Sequence, residues 1–176
     1  MEKTAKLTFC GGTGTVTGAN FLLEVGGKKI LIDCGLTQGF KIADDVNWGP
    51  FIYDPREIDL LFVTHAHVDH LGRIPKLIAE GYSGKIYSTL PTRDLARPML
   101  EDTANILNKS GQFHLDKIYS EENINTALSF WQGFQYHQEI KIGEEIERLE
   151  KSGNLTGMVP LLADFRNLSH HLRSLS

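Results

Sequence analysis

The stretch Ile58–Pro75 reads IDLLFVTHAHVDHLGRIP, and its change of character halfway along decides what kind of fold the chain can have. Ile58 to Thr64 is a nearly continuous apolar run, the pattern of a strand covered on both faces. It turns at once into His65, Ala66, His67, Val68, Asp69 and His70, after which Leu71, Ile74, Leu77 and Ile78 recur at helical spacing as far as Gly81. A buried strand that feeds a helix through a polar turn belongs to α/β architecture, which gathers ligands at strand ends.

The rest of the chain fits layers of that kind. Residues 5 to 33 read as three short strands, and 35 to 57 as a loop punctuated by Gly35, Gly39, Gly49, Pro50 and Pro55. Downstream, Lys85 to Ser88 is a short strand. Thr92 to Lys109 is a helix with Leu95, Met99, Ile106 and Leu107 close to one face. A second helix runs from Ser120, a suitable N-cap, to about Trp131, and Gln135 to Ile142 alternates like a strand, with Ile146 to Leu149 pairing back. Beyond Lys151 no pattern is legible.

Composition narrows the classes. The 176 residues are 41% hydrophobic and 23% charged, ordinary for one globular domain. A net charge of −4 gives no electrostatic case for nucleic acid, although it leaves room for a local basic groove or a metal-centred phosphate site. Cys10 and Cys34 stand far apart without a CxxC, so neither a disulfide framework nor a thiolate zinc site is expected, and both read as small buried hydrophobes. The first residues lack an apolar leader and no apolar run reaches the length of a membrane span, so the expectation is a reducing cytoplasm and no membrane.

The segment Lys6–Glu24, KLTFCGGTGTVTGANFLLE, has the glycine density of a phosphate cradle. Such a cradle must open a helix, whose first amides hold the anion. Here a strand pair follows instead, Phe21 to Val25 and Lys29 to Asp33 about a Gly26-Gly27 turn, and no Lys-Ser/Thr completes a P-loop. A nucleotide site is therefore set aside.

His65-x-His67-x-Asp69-His70 is the strongest chemical signal. Imidazole and carboxylate suit zinc and comparable ions. Alternation turns His65 and His67 to one side, where they can share one metal, and Asp69 and His70 can reach a second.

This motif, after an apolar strand, resembles the signature of the metallo-β-lactamase fold, and Leu31-Ile32-Asp33-Cys34-Gly35 resembles that fold's first motif. Gly11 to Glu24, Thr64 to Pro75 and Pro91-Thr92-Arg93-Asp94-Leu95 are similar to the β-CASP branch of RNA- and DNA-processing nucleases; the likeness covers roughly residues 5 to 146. The resemblance implies an αββα sandwich, of which this chain holds the N-terminal half, with residues 1–150 the metallo-β-lactamase-like part and 151–176 an atypical tail. It also implies hydrolysis of RNA phosphodiesters by two zinc ions. In that scheme His65 and His67 ligate the first metal and Asp69 and His70 the second. Asp69 also orients a bridging hydroxide, while Asp33 braces the metal loop.

The same family pattern expects a later histidine on the first metal. Carried forward in register, that position falls on Asn154, an amide that is a weaker ligand. His170, followed by His171, has the better chemistry but lacks the preceding glycine and comes late. His114 and His137 read as surface or structural residues. β-CASP enzymes are more than twice as long, so this chain reads as an incomplete portion. The alternatives are an inert metal-binding or interaction module, and another hydrolase of the fold acting on a thioester, lactone or β-lactam. An unfilled half-sandwich would leave apolar sheet surface and favour self-association, for example as a homodimer.

Overall fold

The strand, polar turn and helix read from Ile58–Pro75 form the centre of the computed structural model, which describes residues 5–39, 43–109, 115–136 and 138. The chain divides into two units, Thr4–Tyr136 and a second made of Met1–Lys3 with His137–Ser176; every element described here lies in the first.

Three strands, β1 (Lys6–Gly11), β2 (Asn20–Val25) and β3 (Lys28–Ile32), form an antiparallel meander. β2 and β3 are joined through Gly26 and Gly27, both at positive φ (58° and 77°), the hairpin turn whose twist matches that of its strands. β4 (Leu60–Phe62), β5 (Lys85–Thr89) and β6 (Trp131–Phe134) continue the sheet in parallel, in the order β1-β2-β3-β4-β5-β6. Parallel neighbours need crossovers. These are supplied by α1 (Ala43–Trp48) before β4, α2 (Val68–Leu71) and α3 (Ile74–Ala79) before β5, and α4 (Leu90–Lys109) with α5 (Glu121–Phe130) before β6.

Register lines up the core. Leu22, Leu31, Leu61, Ile86 and Trp131 stand side by side across β2 to β6 on one face. Leu71, Ile74, Leu77, Ala96, Leu100, Ile124 and Ala127 of the helices join them in one buried cluster. The opposite face carries an aromatic-rich row of Phe9, Phe21, Ile32, Phe62 and Tyr87. Phe9 meets Phe21 edge-on at 5.6 Å between ring centroids, and Tyr87 meets Phe134 edge-on at 5.2 Å.

The mixed α/β class and the three opening strands stand as expected, but four local readings are corrected. The 35–57 loop contains α1 and a 3₁₀ turn at Pro55–Glu57. The sequence ADDVNW of α1 has no apolar stripe, and what pins it is Asn47, whose amide accepts from Thr37 N at 2.8 Å and donates to Thr37 O at 2.9 Å. The ladder of β4 is shorter than the Ile58–Thr64 run. In α4 the buried face is Thr92, Ala96, Leu100, Thr103 and Ala104, with Met99 and Leu107 packed beside it, whereas Leu95 and Ile106 point outward at 54% and 60% exposure.

The last correction concerns the strand after α5. The helix ends at Phe130 with Trp131 as its cap, as expected, but Trp131 also opens β6; it stands in the core row opposite Ile86 and its indole N–H donates to Ser88 Oγ at 2.8 Å. Gln135 and Tyr136 consequently follow the strand that they were expected to open, and the remainder of that expected strand and its return at Ile146 to Leu149 lie outside the described residues. The Ser120 cap is present, its Oγ accepting from Asn123 N. Among the described residues no helix is long and apolar enough to cross a membrane.

Candidate metal centre

The site forms where β3 and β4 end side by side. Asp33 leaves β3 with φ at 61°, a left-handed conformation that costs a non-glycine residue about 1 kcal/mol. Such strain persists only where the surroundings over-determine it. Here Asp33 N donates to Phe62 O, Asn20 Nδ2 donates to Asp33 O at 2.9 Å, and Tyr53 OH in turn holds Asn20 Oδ1 at 3.1 Å. The buried carboxylate is thereby aimed across the end of β4. It accepts from Thr64 N at 2.8 Å and from the Thr64 hydroxyl.

This network fixes the histidines. His70 Nδ1 lies 2.8 Å from Asp33 Oδ2, and since a carboxylate oxygen only accepts, Nδ1 carries the proton and Nε2 keeps its lone pair. Thr64 Oγ1, its single proton given to Asp33, accepts from His65 Nδ1 at 3.0 Å, which leaves His65 Nε2 a lone pair as well. His65 Nε2 then faces His67 Nδ1 at 3.2 Å. Two nitrogens bound to one tetrahedral zinc stand roughly 3.3 Å apart, given Zn–N bonds near 2.0 Å. His70 Nε2 lies 3.6 Å from Asp69 Oδ2, and the His65 ring stands between the other two imidazoles, 4.7 Å from that of His67 and 3.8 Å from that of His70 between centroids.

Electrostatics treats the two histidines in opposite ways. Burial, reinforced by the neighbouring His70 and His67, lowers the His65 pKa to about 4, so its ring is neutral near neutral pH and free to donate a lone pair. Burial works against a charge on His70 too, but the Asp33 hydrogen bond and the charges of Asp33 and Asp69 outweigh it and its pKa rises, which favours a proton that a metal would have to displace. In position, the donors fit two-point attachment of a metal at each pair. Among the described residues no group of three His, Cys, Asp or Glu side chains closes around one point.

The backbone beneath the turn is equally specific. Gly35 presses on the Asp69–His70 peptide so closely that a Cβ there would fall 1.6 Å from Asp69 O. Ala19, at the end of the glycine loop, donates to Asp69 O and accepts from Gly35 N, both at 2.9 Å. The loop's own glycines pack elsewhere, Gly11 and Gly12 against Gly18 and Ala19 and Gly18 against Thr37, so the loop meets the turn through Ala19, and none of its glycines opens a helix. Cys10 and Cys34 are free thiols, and burial pushes that of Cys34 up to about 11.

Thr64, Asn20, Gly35 and Arg73 do work here that the sequence reading did not assign. Thr64 had a signal, a hydroxyl closing an apolar run one residue before the histidines; Arg73 had one in being a charge between Leu71 and Ile74. His114, His137, Asn154, His170 and His171 lie outside the described residues.

Residues 22–160 match the metallo-beta-lactamase superfamily domain. Ribonuclease TTHA0252 of Thermus thermophilus is 35% identical over 153 residues, which are 87% of this chain and 33% of the relative. Cleavage and polyadenylation specificity factor 73 of Drosophila melanogaster is 32% identical over 130 residues, 73% of this chain and 18% of the relative. A solved structure from Enterococcus faecalis, of unknown function, shares the fold with a TM-score of 0.50 at 19% identity, over 81% of this chain and 36% of that one. The β-CASP resemblance of the two long motifs agrees with these relatives, of whose length the chain spans a third or less.

Proposed function

This chain belongs to the metallo-β-lactamase superfamily, and we propose that it serves the metal-dependent hydrolysis of RNA phosphodiester bonds, of the β-CASP type, with zinc as the metal. The observation that carries the metal reading is the Asp33–Thr64 network, which leaves the Nε2 lone pairs of His65 and His70 directed outward beside His67 and Asp69. RNA as substrate is supported by the relatives, one named a ribonuclease and another a cleavage and polyadenylation factor.

In this reading His65 and His67 hold one ion, and Asp69 and His70 the other. Divalent cations so held would supply Lewis-acid activation of water and positive charge beside a phosphoryl oxygen. The chain's own residues set the stage: Asp33 and Thr64 hold the tautomers of His65 and His70, and Asp69 has a carboxylate suited to ligate through one oxygen while its other accepts a hydrogen bond. The glycine loop from Gly11 to Ala19 would wall one side, its glycines offering backbone without a Cβ to a phosphate. Two free cysteines favour a reducing, cytoplasmic setting. Self-association through the exposed apolar surface of Phe9 in β1 and Val16 in the glycine loop belongs to the same reading, and light scattering that finds only monomer would remove it.

A second reading, metal binding without turnover, is favoured by one observation: neither ligand pair has a third donor among the described residues. Incubation of the zinc-loaded chain with end-labelled single-stranded RNA separates the two. Chelator-sensitive cleavage that disappears in Asp69→Asn supports hydrolysis. Stoichiometric zinc with intact RNA supports the second reading, and hydrolysis of a thioester in place of RNA would move the activity elsewhere in the superfamily.

A further inference from the structure

Arg73 is almost fully buried, at 4% exposure, directly behind the metal turn. Its backbone N donates to Cys34 O at 2.8 Å, its Nε to Gly35 O at 2.7 Å and its Nη1 to Val46 O at 3.1 Å. The guanidinium also lies 5.1 Å from the centroid of the Phe51 ring. Nη2 is buried without a hydrogen-bond partner among the described residues and stands 3.7 Å from where a Cβ of Gly11 would be. One side chain therefore joins the exit of β3 to α1 and lies beside the start of the glycine loop.

A buried cation is costly unless its hydrogen bonds compensate, and two carbonyls with a ring face compensate this one only in part. A methionine would fill similar volume without that cost. What the guanidinium adds is direction, since its planar fork fixes two carbonyls at once where an ammonium is a single point. One of those carbonyls belongs to Gly35, the residue wedged under the Asp69–His70 peptide. Gly35 is held at its N–H by Ala19, which also holds Asp69 O, and Cys34 N donates to His70 O at 2.8 Å.

We propose that Arg73 is a positioning residue for the metal turn: by holding Gly35 against the Asp69–His70 peptide, it sets where Asp69 and His70 present their ligand atoms. The proposal rests on the metal reading above.

The test uses the full chain as wild type, Arg73→Met, Arg73→Lys and His67→Ala. Two quantities are read: the rise in melting temperature on adding zinc, and the visible absorption of the cobalt(II)-substituted protein. Loss of a residue that supports metal ligands lowers affinity about 10- to 100-fold. The expected result is that size of loss in Arg73→Met, with a smaller zinc-induced rise and an altered cobalt spectrum, and an intermediate response in Arg73→Lys.

A merely structural arginine would lower the melting temperature equally with and without zinc, leaving the zinc-induced rise and the cobalt spectrum as in wild type; that outcome overturns the proposal while His67→Ala still confirms the metal reading. If Arg73→Met does not fold, Arg73→Lys decides by the same two readouts. A wild type that responds to neither metal overturns the metal reading and this proposal with it.

Discussion

The helix-side row of the sheet and the metal turn at its edge are built on opposite principles. In the row, Leu22, Leu31, Leu61, Ile86 and Trp131 each touch several apolar neighbours, so position is set by many weak, interchangeable contacts. In the turn, position is set by single hydrogen bonds to one carboxylate, one hydroxyl and one glycine that admits no side chain. The first arrangement makes the unit stable; the second fixes which ring nitrogen faces the network in His65 and His70. Damage to the row should therefore appear as lost stability with metal binding retained, and damage to the turn as lost metal binding out of proportion to stability.

Gly35→Ala should break the turn most completely, because its Cβ would overlap the backbone oxygen of Asp69 and cannot be relieved by a side-chain rotation. The expected outcome is loss of any zinc-induced rise in melting temperature, with the unfolding midpoint also lowered. Leu61→Ala, in a fully buried position of the row, should cost about 2–5 kcal/mol in urea unfolding. Whatever remains folded should still respond to zinc, and a response lost in step with stability would erase the contrast between the two regions.

Asp33→Asn sharpens the comparison, since asparagine accepts the left-handed backbone readily while an amide cannot accept from both Thr64 and His70 as a carboxylate does. Zinc affinity should fall about 10- to 100-fold by competition with a chromophoric chelator, with about 1–3 kcal/mol lost in urea unfolding from the buried donors left unpaired. Gly14→Ala gives the smallest effect. Its φ is 74° but nothing lies within 4 Å of the added carbon, so about 1 kcal/mol of backbone strain and unchanged zinc affinity are expected.

How much of this was legible in the sequence follows from the same division. The β2–β3 hairpin, the Ile58–Thr64 strand and the HxHxDH turn are local patterns and could be read directly. The face of α4 could not, because Leu95 and Ile106 look like core by type, while the buried stripe runs through Thr92, Ala96 and Thr103, small residues that let the helix lie close to its neighbours. That Trp131, the cap of α5, also opens β6 is not legible locally, because its partners Ile86 and Ser88 lie more than forty residues away. In the site, the ligand candidates were visible as residue types, and Asp33 came from family resemblance. Thr64 on Asp33, Gly35 beneath Asp69 and Arg73 on Gly35 each join segments more than thirty residues apart, and nothing local in a sequence encodes such contacts.

The central claim is that the Asp33–Thr64 network presents His65, His67, Asp69 and His70 as a metal centre. Zinc uptake by the full chain at neutral pH, measured by competition with a chromophoric chelator beside His67→Ala, tests it most directly. The account predicts that the wild type takes up zinc and that the variant's affinity falls at least about tenfold, as expected when a ligand to a bound ion is removed. A wild type that takes up no zinc, or a variant that takes it up equally well, would contradict it.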